Sequence, residues 1–427
     1  MTQKRIVILG GGFGGLAVAA GLGDAEAQVT VIDQRNHNLF QPLLYQVATA
    51  ALSPADIAEP IRKTLGRFRN IRVMLAAVAG VDTAAQVVTT ESGDAVPYDT
   101  LIVATGSVYN YFGNDHWRTH APGLKSLSEA RVIRQRLLLA LERAELAKDA
   151  EARRGLLTAV VIGGGPTGVE MAGAIAELGR DVLARDFRDL GPEGFHVVLV
   201  EAGDRVLSAF PERLSDYTLK ALTARGVHVW TGRSVKDVRP DGVLIDEEFV
   251  PAGVVVWGAG VRASPAADWL GVPAGKGGKI AVDGRLRVIG LENVHALGDV
   301  AHLEDASGAP LPALAQVAKQ QGDWLGKHLR REMTGGPALP DFTFHNRGNT
   351  AVIGRNDAVF DFGRWQMRGW FAWVLWALVH VWLLVNFEKR ILVSIQWVWR
   401  YLTRQSGARI IDERAPERAD ASRPDMP

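Results

Sequence analysis

The residues best suited to chemistry form a glycine-rich turn near the N-terminus. The apolar run Arg5 to Leu9 leads into a GxGxxG pattern on Gly10, Gly12 and Gly15, and a helix-like segment follows. The first glycine allows a tight turn, the second lets the backbone approach a pyrophosphate, and the third allows close packing of helix on strand. About 20 residues further on, an apolar run ends at Asp33, whose carboxylate can accept hydrogen bonds from ribose hydroxyls. This combination predicts a dinucleotide site rather than an incidental glycine-rich turn.

The same pattern occurs again in the middle of the chain. The apolar run Thr158 to Ile162 leads into a GGGPTG turn, and the next apolar run ends at Glu201. The residues of this second turn are Gly163, Gly165, Pro166, Thr167 and Gly168. The gap from Gly163 to Glu201 is longer than is usual between such a turn and its acidic residue, so we expect an inserted loop over Arg185 to Gly194.

The acidic residue after the second turn bears on the choice of nucleotide. A carboxylate accepts hydrogen bonds from a free 2′-hydroxyl and repels a 2′-phosphate. Glu201 therefore favours NAD(H) over NADP(H), whereas the nearby Arg205 weakens that preference.

The chain contains no cysteine. This excludes a disulfide framework, a cysteine-ligated zinc, an iron–sulfur cluster, a thiol nucleophile and a redox-active cysteine pair. We predict no metal site, and any electrons must travel on a bound organic cofactor. A flavin facing a nicotinamide can exchange hydride, because a flavin accepts hydride and can release electrons singly or in pairs.

Length and composition bound the class of protein. A chain of 427 residues with 47% hydrophobic and 22% charged residues is globular, and it has room for two to three domains. Forty-eight Lys and Arg oppose 47 Asp and Glu, for a net charge of +1, which argues against nucleic acid as the main partner. The N-terminus lacks the pattern of a signal peptide, and a reduced, cytoplasm-facing location fits the absence of cysteine.

These motifs and their order resemble the flavoprotein pyridine-nucleotide oxidoreductases with two dinucleotide-binding domains. Among them the chain is similar to the type II NADH dehydrogenases, which are single-subunit NADH:quinone oxidoreductases that do not pump protons. The resemblance runs from about Lys4 to Ile411. The segments that carry it are GGGFGG at the first turn, HNLFQPLLYQVA from His37 to Ala48, ATG from Ala104, VWGAG from Val256, LGD from Leu297 and AQVAKQQG from Ala315.

The resemblance implies a set of cofactor-binding residues. For FAD these are Gly10, Gly12, Phe13, Gly14, Gly15, Asp33, Gln34, Pro42, Leu43, Ala104, Thr105, Gly106, Gly298, Asp299 and Gln316. For NADH they are Gly163, Gly165, Pro166, Thr167, Gly168 and Glu201, together with Gly258, Ala259 and Gly260 at the turn that returns to the FAD domain.

The AQVAKQQG segment resembles the family's quinone-site signature. Gln316 and Gln320 are one helical turn apart and point to the same face. Their amides can donate to and accept from quinone carbonyls without bringing charge into an apolar pocket. From spacing alone an ordinary polar helix face is the simpler interpretation, and it is the resemblance that favours a quinone site.

A glutamate and a lysine bear on proton delivery. Glu170 matches an acidic residue that relatives place near the nicotinamide and flavin, so a role in proton delivery is a hypothesis beside that of a plain helix-start carboxylate. Some relatives also carry a lysine near the flavin in the C-terminal region. Lys319 and Lys389 are the nearby candidates here, and neither matches clearly.

The C-terminal region is basic and rich in tryptophan. Between Phe362 and Ile411 the only acidic residue is Glu388, against seven basic residues, and the stretch holds seven of the twelve tryptophans. Gly369 to Phe387 is a run of 19 residues without formal charge, just long enough to cross a membrane at about 1.5 Å of rise per residue. Three interpretations compete: a buried core helix, a single span, and the favoured interfacial anchor on one face of the bilayer. Within the run, His380 is expected to be a helix-bonded histidine rather than a catalytic one.

The motif order predicts an α/β fold with two Rossmann-like dinucleotide-binding domains, in which the FAD domain is split by an inserted NAD domain, plus a C-terminal membrane-associated helical module. One helix is expected over Ser126 to Lys148, from the spacing of Ile133, Leu137, Leu141 and Ala144. The expected divisions are residues 1–125 and 276–335 for the FAD domain, 126–155 for a connecting helix, 156–275 for the NAD domain, 336–411 for the membrane module and 412–427 for a disordered tail.

The resulting expectation is an enzyme that transfers hydride from NADH to FAD and then two electrons to a membrane quinone, at the cytoplasmic face of the cell membrane. Two alternatives remain: a soluble NADH-dependent reductase of a ferredoxin-like or rubredoxin-like carrier, and an NADH-sensing flavoprotein without turnover. The identity of the quinone and the formation of a homodimer are left open.

Overall fold

The computed structural model describes residues 3–187, 190, 195–384, 387–403 and 409–411. The expected tail over 412–427 lies outside the described residues, as does most of the expected loop over Arg185 to Gly194. Within the described chain, two parallel sheets with helices packed on them confirm the α/β class.

The first parallel sheet combines strands from two distant parts of the sequence. In spatial order its strands are β20 (Val294–Ala296), β9 (Thr100–Val103), β1 (Lys4–Leu9), β2 (Ala27–Asp33) and β5 (Ile71–Leu75). The central strands are continuous apolar runs because helices cover both faces of a parallel sheet. Helix α1 (Phe13–Gly21) packs against α10 (Ala315–Met333), where a Cβ on Gly322 would lie 2.4 Å from the carbonyl oxygen of Gly14. The sheet is therefore completed by residues that follow the second sheet in sequence.

The second parallel sheet lies wholly within the middle of the chain. Its strands in spatial order are β13 (Val227–Thr231), β12 (His196–Glu201), β11 (Thr158–Ile162) and β17 (Val254–Trp257). Helices α7 (Pro166–Asp186) and α8 (Glu212–Ala224) accompany it, beside an antiparallel sheet of β14 (Val235–Arg239), β15 (Gly242–Ile245) and β16 (Glu248–Pro251). In each parallel sheet a glycine turn joins a central strand, β1 or β11, to the helix that follows it, α1 or α7.

Smaller elements join and flank the two sheets. Near the first sheet are β3 (His37–Leu39), α2 (Leu44–Ala48), α3 (Pro54–Ile57), β4 (Ala58–Pro60), α4 (Ile61–Leu65), β6 (Val78–Asp82), β7 (Val87–Thr90) and β8 (Ala95–Pro97). The connections carry β10 (Ser107–Tyr109), α5 (Leu127–Leu146), α6 (Ala150–Leu156), β18 (Val261–Ala263), α9 (Ala266–Leu270), β19 (Ile280–Ala281) and β21 (Ala301–His302). Strands β10 and β18 pair antiparallel, so the two chain segments that connect the parallel sheets run side by side.

The predicted connecting helix is confirmed as α5. The Ser126 side chain caps its N-terminus by accepting from the Glu129 backbone N–H at 3.2 Å. Ile133, Leu137, Leu141 and Ala144 are all buried, as their spacing predicts.

The C-terminal region contains strands that the sequence analysis did not predict. Before its helices it forms an antiparallel sheet of β22 (Asn349–Gly354), β23 (Asp357–Asp361) and β24 (Gln366–Gly369). Strand β22 packs on α7 so closely that a Cβ on Gly173 would lie 1.9 Å from the carbonyl oxygen of Ile353. The expectation of a purely helical module over 336–411 is therefore corrected. The short apolar segment Asn349–Gly354 is a strand because it packs on α7 and pairs with β23.

The charge-free run is not one long helix. Helix α11 (Trp370–Leu383) has 14 residues and α12 (Phe387–Thr403) has 17. Across the part of the chain that the structure describes, no helix has both the length and the apolar character needed to span a membrane. Ala372, Trp376 and His380 form a buried face of α11, while other apolar side chains of that helix are exposed.

Candidate functional site

The first glycine turn has the geometry that a bound pyrophosphate needs. Gly10 has φ +101°, and a Cβ there would lie 2.4 Å from the carbonyl oxygen of Ala104. A Cβ on Gly15 would lie 1.8 Å from the carbonyl oxygen of Gly10, whereas one on Gly12 would meet nothing within 4 Å. Two glycines thus allow the packing of strand, turn and helix, and the third faces open space at the N-terminus of α1, where backbone N–H groups favour an anion.

The second turn repeats this geometry at the N-terminus of α7. Gly163 has φ +105°, and a Cβ there would lie 2.7 Å from the Gly258 carbonyl carbon and the Ala259 nitrogen. A Cβ on Gly168 would lie 1.8 Å from the carbonyl oxygen of Gly163, and one on Gly165 would meet nothing within 4 Å. Pro166 is exposed and Thr167 is half-buried at the same edge. The two turns are therefore equivalent, and each leaves room for a phosphate group.

A carboxylate closes each turn in the same way. The Oδ2 atom of Asp33 accepts from the Gly11 N–H at 2.6 Å, and the Oε2 atom of Glu201 accepts from the Gly164 N–H at 2.5 Å. Their second oxygens accept from the N–H groups of Arg35 and Gly203, both at 2.7 Å. A carboxylate oxygen has more than one lone pair, so both groups can still accept from a sugar hydroxyl.

A third group of candidate cofactor-binding residues lies where the chain leaves the first sheet, after β9 and after β20. The Ser107 hydroxyl donates to the Oδ2 atom of Asp299 at 2.5 Å, and the Gly298 N–H donates to the Gln321 side chain at 2.7 Å. The hydroxyls of Thr105 and Ser264 are 2.5 Å apart. The structure thus brings Ala104, Thr105 and Gly106 to the same edge as Asp299, although nearly 200 residues separate them in sequence.

Lys125 is a residue of this region that sequence reasoning missed. Its ammonium group donates to the Ser107 hydroxyl at 2.8 Å and so connects to Asp299. Burial lowers the pKa of Lys125, while the Asp299 carboxylate opposes that shift. Lys319 instead pairs with Asp323 at 2.8 Å, and Lys389 donates to the Ala55 carbonyl. No spacing rule could have found Lys125, because it meets Asp299 only through the fold.

The segment His37 to Ala48 lies between the first turn and the C-terminal helices. The Phe40 ring makes edge contacts with Phe13 at 6.2 Å and with His380 at 6.0 Å between ring centres. Leu43 is fully buried and Pro42 opens a short 3₁₀ turn, whereas Gln34 is exposed beside Asp33. Phe13 therefore joins the first turn to this segment.

A cavity of about 130 Å³ separates this segment from α7 and the C-terminal helices. Its walls include Gln46, Glu170, Trp373, Trp376 and Trp397. The Glu170 Oε1 atom accepts from the Val352 N–H at 3.3 Å. Burial nevertheless raises the pKa of Glu170 to about 8, since that one hydrogen bond offsets only part of the cost of a buried charge. The cavity therefore combines tryptophan walls with polar side chains, and it holds a carboxyl group that is protonated at neutral pH.

The tryptophans of the cavity are fixed by stacking. The Trp376 ring stacks on His380 at 4.5 Å and on Trp397 at 5.2 Å, and the Trp397 Nε1–H donates to Gln46 at 2.9 Å. The buried Nε1 of Trp376 has no hydrogen-bond partner among the described residues. Buried indole N–H groups are normally paired, so this unsatisfied donor is unusual for a protein interior.

His380 has the role that the sequence analysis expected. Its Nδ1 atom lies 2.8 Å from the carbonyl oxygen of Trp376, one turn earlier on α11. Burial lowers the pKa of His380 to about 4, so the ring is neutral at physiological pH.

The structure places the side-chain amides of Gln316 and Gln320 against the backbone segment that precedes β22. They do share one face of α10, but the Gln320 amide donates to the His345 carbonyl at 2.9 Å and accepts from its N–H at 3.1 Å. The Gln316 amide accepts from the Arg347 N–H at 3.0 Å and donates to the Gly348 carbonyl at 3.1 Å. Both amides therefore hold the backbone of residues 345–348, just before β22. Each amide keeps further hydrogen-bonding capacity, so its contact with a quinone stays a prediction.

An apolar surface covers the outer side of the C-terminal helices. Its exposed side chains are Trp370, Phe371, Leu378, Trp382 and Leu383 on α11, and Ile391, Leu392, Ile395, Val398, Trp399 and Leu402 on α12. We call this set the C-terminal apolar face. Exposed apolar areas of this kind are uncommon unless another molecule or a membrane covers them.

The chain has two parallel sheets with equivalent glycine turns, and the two connections between the sheets pair through β10 and β18. This arrangement defines a class of oxidoreductases that bind two dinucleotides. A family model described as pyridine nucleotide-disulphide oxidoreductase matches residues 4–322. A type II NADH:quinone oxidoreductase of Mycobacterium tuberculosis is 37% identical and covers 97% of this chain and 91% of its own length. The chain therefore belongs to the pyridine nucleotide-disulphide oxidoreductases and, within them, to the type II NADH:quinone oxidoreductases.

Further relatives agree with this assignment. An internal alternative NAD(P)H-ubiquinone oxidoreductase of Arabidopsis thaliana mitochondria is 31% identical and covers 96% of this chain and 86% of its own. The structure of NDH2 from Plasmodium falciparum in complex with NADH superposes with a TM-score of 0.86 at 21% identity, over 94% of this chain and 99% of that one. The structural match shows that the two proteins share a fold.

Proposed function

We propose that this protein oxidises NADH and reduces a quinone, with FAD held at the first glycine turn and NADH at the second. The observation that carries the proposal is the duplicated turn: two equivalent phosphate cradles, each closed by a carboxylate, in one chain without cysteine. The names of the sequence relatives, which pair NADH or NAD(P)H with a quinone, support the same pair of substrates.

The residues of the first turn fit FAD. The open space beside Gly12 suits a pyrophosphate at the N-terminus of α1, and Asp33 can accept from the adenosine ribose. Asp299, fixed by Ser107 and Lys125, can accept from the ribityl chain. Bound FAD would supply the redox chemistry, taking two electrons from NADH and returning them to a quinone.

The residues of the second turn fit NADH. Gly165 leaves space for the pyrophosphate at the N-terminus of α7, and Glu201 favours an unphosphorylated 2′-hydroxyl. Gly258, Ala259 and Gly260 adjoin this turn at the end of β17. No protein nucleophile is needed, because the protein contributes mainly by holding two planar rings in contact.

The cavity beside Glu170 fits a quinone head group. Its tryptophans give it apolar walls, the Trp376 Nε1–H can donate to a carbonyl oxygen, and the Glu170 carboxyl can supply a proton. Gln316 and Gln320 act on this site from a distance, since the segment they hold leads into β22 and to the Val352 N–H that binds Glu170. This assigns Glu170 to proton delivery and the two glutamines to positioning.

The C-terminal apolar face fits the surface of a bilayer. Helices α11 and α12 present this face outward while Trp373, Trp376 and Trp397 of the same helices line the cavity. The exposed Arg364 and Arg368 precede α11 and suit anionic lipid head groups. We assign the protein a monotopic position on the cytoplasmic face of the cell membrane, because a quinone with an apolar tail stays in the bilayer.

One experiment tests both half-reactions. The protein is purified from membranes with detergent, its absorption spectrum is recorded, and NADH and then a quinone are added without oxygen. We expect a flavin spectrum that is bleached by NADH and restored by quinone. A colourless protein that binds no FAD would overturn the proposal.

The same preparation distinguishes the two alternatives. Recovery of the active protein without detergent, with reduction of a ferredoxin-like carrier in place of quinone, would identify a soluble carrier reductase. Bound FAD and NADH without quinone-dependent turnover would identify an NADH sensor.

A further inference from the structure

Phe112 presents an aromatic ring to solvent from a backbone conformation that bulky residues avoid. Its φ is +52° and 63% of its surface is exposed. A left-handed conformation is uncommon for a residue other than glycine, and for a bulky side chain it is an outlier. Such outliers persist where the surrounding structure holds them, and they cluster at ligand sites.

The surrounding structure does hold this conformation. The Phe112 N–H donates to the Asn110 side chain at 2.9 Å, and the Asn114 N–H donates to the Tyr111 carbonyl at 3.0 Å. The Asn110 carbonyl in turn accepts from the Trp257 Nε1–H at 3.2 Å. The loop is therefore held to the end of β17, and its backbone presents the Phe112 ring to solvent.

The ring lies beside the turn that follows β17. A Cβ on Gly260 would lie 3.2 Å from the Phe112 Cζ atom, and Gly260 has φ +77°. The same turn touches the second dinucleotide turn, since the Gly258 N–H donates to the Ile162 carbonyl at 2.7 Å. Phe112 thus stands at the carboxyl ends of β11 and β17, where the order of the second sheet reverses and where ligands of such sheets bind.

The sheet order decides which half of the dinucleotide meets the ring. Glu201 ends β12 on one side of β11, and Gly260 follows β17 on the other side. With its pyrophosphate at the N-terminus of α7, the dinucleotide extends both ways from β11. Its adenosine ribose lies toward Glu201, so its nicotinamide half lies toward Gly260 and Phe112.

We propose that Phe112 is a substrate-contacting residue that packs its ring against the nicotinamide half of NADH and orients it. The inference rests on the proposed function and deepens it. A planar, uncharged aromatic side chain suits a planar heterocycle, and its fixed backbone means that little freedom is lost on binding. Gly260 keeps the space beside the ring free, since any side chain there would meet Phe112.

The test compares NAD⁺ with ADP-ribose, which lacks the nicotinamide ring. Their dissociation constants are measured by calorimetry on the FAD-loaded protein and on the Phe112→Ala, Phe112→Gly and Phe112→Tyr variants. We expect Phe112→Ala to weaken NAD⁺ binding about tenfold while ADP-ribose binding changes less than about twofold. Phe112→Tyr keeps an aromatic ring, so it should bind NAD⁺ with an affinity near that of the wild type.

Two further variants separate contact from folding. Phe112→Gly removes the ring and also relieves the left-handed backbone, so it should fold normally and lose NAD⁺ affinity like the alanine variant. Phe249→Ala removes another exposed ring, on β16, and should leave both affinities unchanged.

Two outcomes would overturn the inference: unchanged NAD⁺ binding in both ring-deleting variants, or equal weakening of NAD⁺ and ADP-ribose. A wild-type protein that binds FAD but neither nucleotide would overturn the proposed function together with this inference. If every variant binds NAD⁺ normally and its flavin is reduced normally by NADH, this inference is wrong while the proposed function stands.

Discussion

The Glu170 carboxyl accepts a hydrogen bond from the Val352 N–H at 3.3 Å, which joins the helix after the second glycine turn to the C-terminal sheet. The bond lies within the close packing of α7 on β22, beside the tryptophan-lined cavity. Because the carboxyl is buried there, its pKa is raised to about 8.

The first prediction concerns the pH dependence of the quinone step. Glu170 is protonated below about pH 8 and can give up a proton, so flavin reoxidation by quinone should slow as pH rises through that value. Glu170→Gln should slow reoxidation roughly a hundredfold and remove this pH dependence. Stopped-flow absorbance measures reoxidation, with reduction by NADH as the control. An unchanged profile in the variant would remove Glu170 from the proton pathway.

The same carboxyl should affect stability with a defined sign. The pKa of Glu170 is higher in the folded protein than the unfolded value of 4.5, so its contribution is fully present below the unfolded pKa and is lost as pH rises toward about 8. Glu170→Gln should therefore flatten the decline in the free energy of unfolding between those two pH values. Denaturant titrations across that range measure it, and parallel declines in wild type and variant would contradict the prediction.

A matched pair of glycine variants should separate the two cofactor sites. A Cβ on Gly12 or on Gly165 meets nothing within 4 Å, so neither substitution disturbs the fold. Gly12→Ala should lose bound FAD, and Gly165→Ala should keep FAD but bind NAD⁺ at least about tenfold more weakly, because the methyl group occupies the approach to a pyrophosphate. Flavin absorbance and calorimetry measure the two effects. Loss of FAD in the Gly165 variant would contradict the assignment.

Gln316→Ala should affect only the quinone half-reaction. The Gln316 side chain makes two hydrogen bonds to residues 347 and 348, and their loss loosens the segment that leads to β22. We expect flavin reoxidation by quinone to slow about tenfold, with reduction by NADH near normal. Lys319→Ala, on the same helix, is the control, because in the part of the chain that the structure describes that side chain forms an ion pair with Asp323. Equal losses in both half-reactions would mean that Gln316 does not act on the quinone site.

Charges on the C-terminal apolar face should weaken membrane binding. Leu378 and Ile395 are exposed on α11 and α12, and aspartate at either position would have to enter the bilayer interface. We expect about tenfold weaker binding to anionic phospholipid vesicles for each variant, measured by sedimentation. Leu146→Asp is the control, since Leu146 is 82% exposed at the end of α5. Equal weakening in all three variants would argue against a specific membrane face.

The same vesicle preparations report on catalysis. Because Leu378 and Ile395 are exposed side chains on α11 and α12 and belong to neither glycine turn, the flavin of Leu378→Asp and Ile395→Asp should still be reduced by NADH at the wild-type rate. Loss of that reduction would indicate that the substitution damaged the fold rather than the membrane contact.

The sequence alone determined the α/β class, the two glycine turns, their order and helix α5. These features depend on local requirements, such as glycine at a positive φ, a carboxylate at a strand end, and apolar residues three or four apart. They also depend on a resemblance that spans nearly the whole chain. Local rules of this kind act within one strand, turn or helix and can be read without the fold.

Only the tertiary structure decided the surroundings of Asp299, Glu170, Gln316 and Gln320. Lys125 meets Asp299 through Ser107, and Val352 meets Glu170, across gaps of more than 170 residues that no periodicity encodes. The amides of Gln316 and Gln320 bind the backbone of the segment before β22, a contact that their spacing along α10 does not reveal. Residues 349–369 contain three strands that pair with one another, and the first of them packs on α7. These contacts exist only in the folded chain.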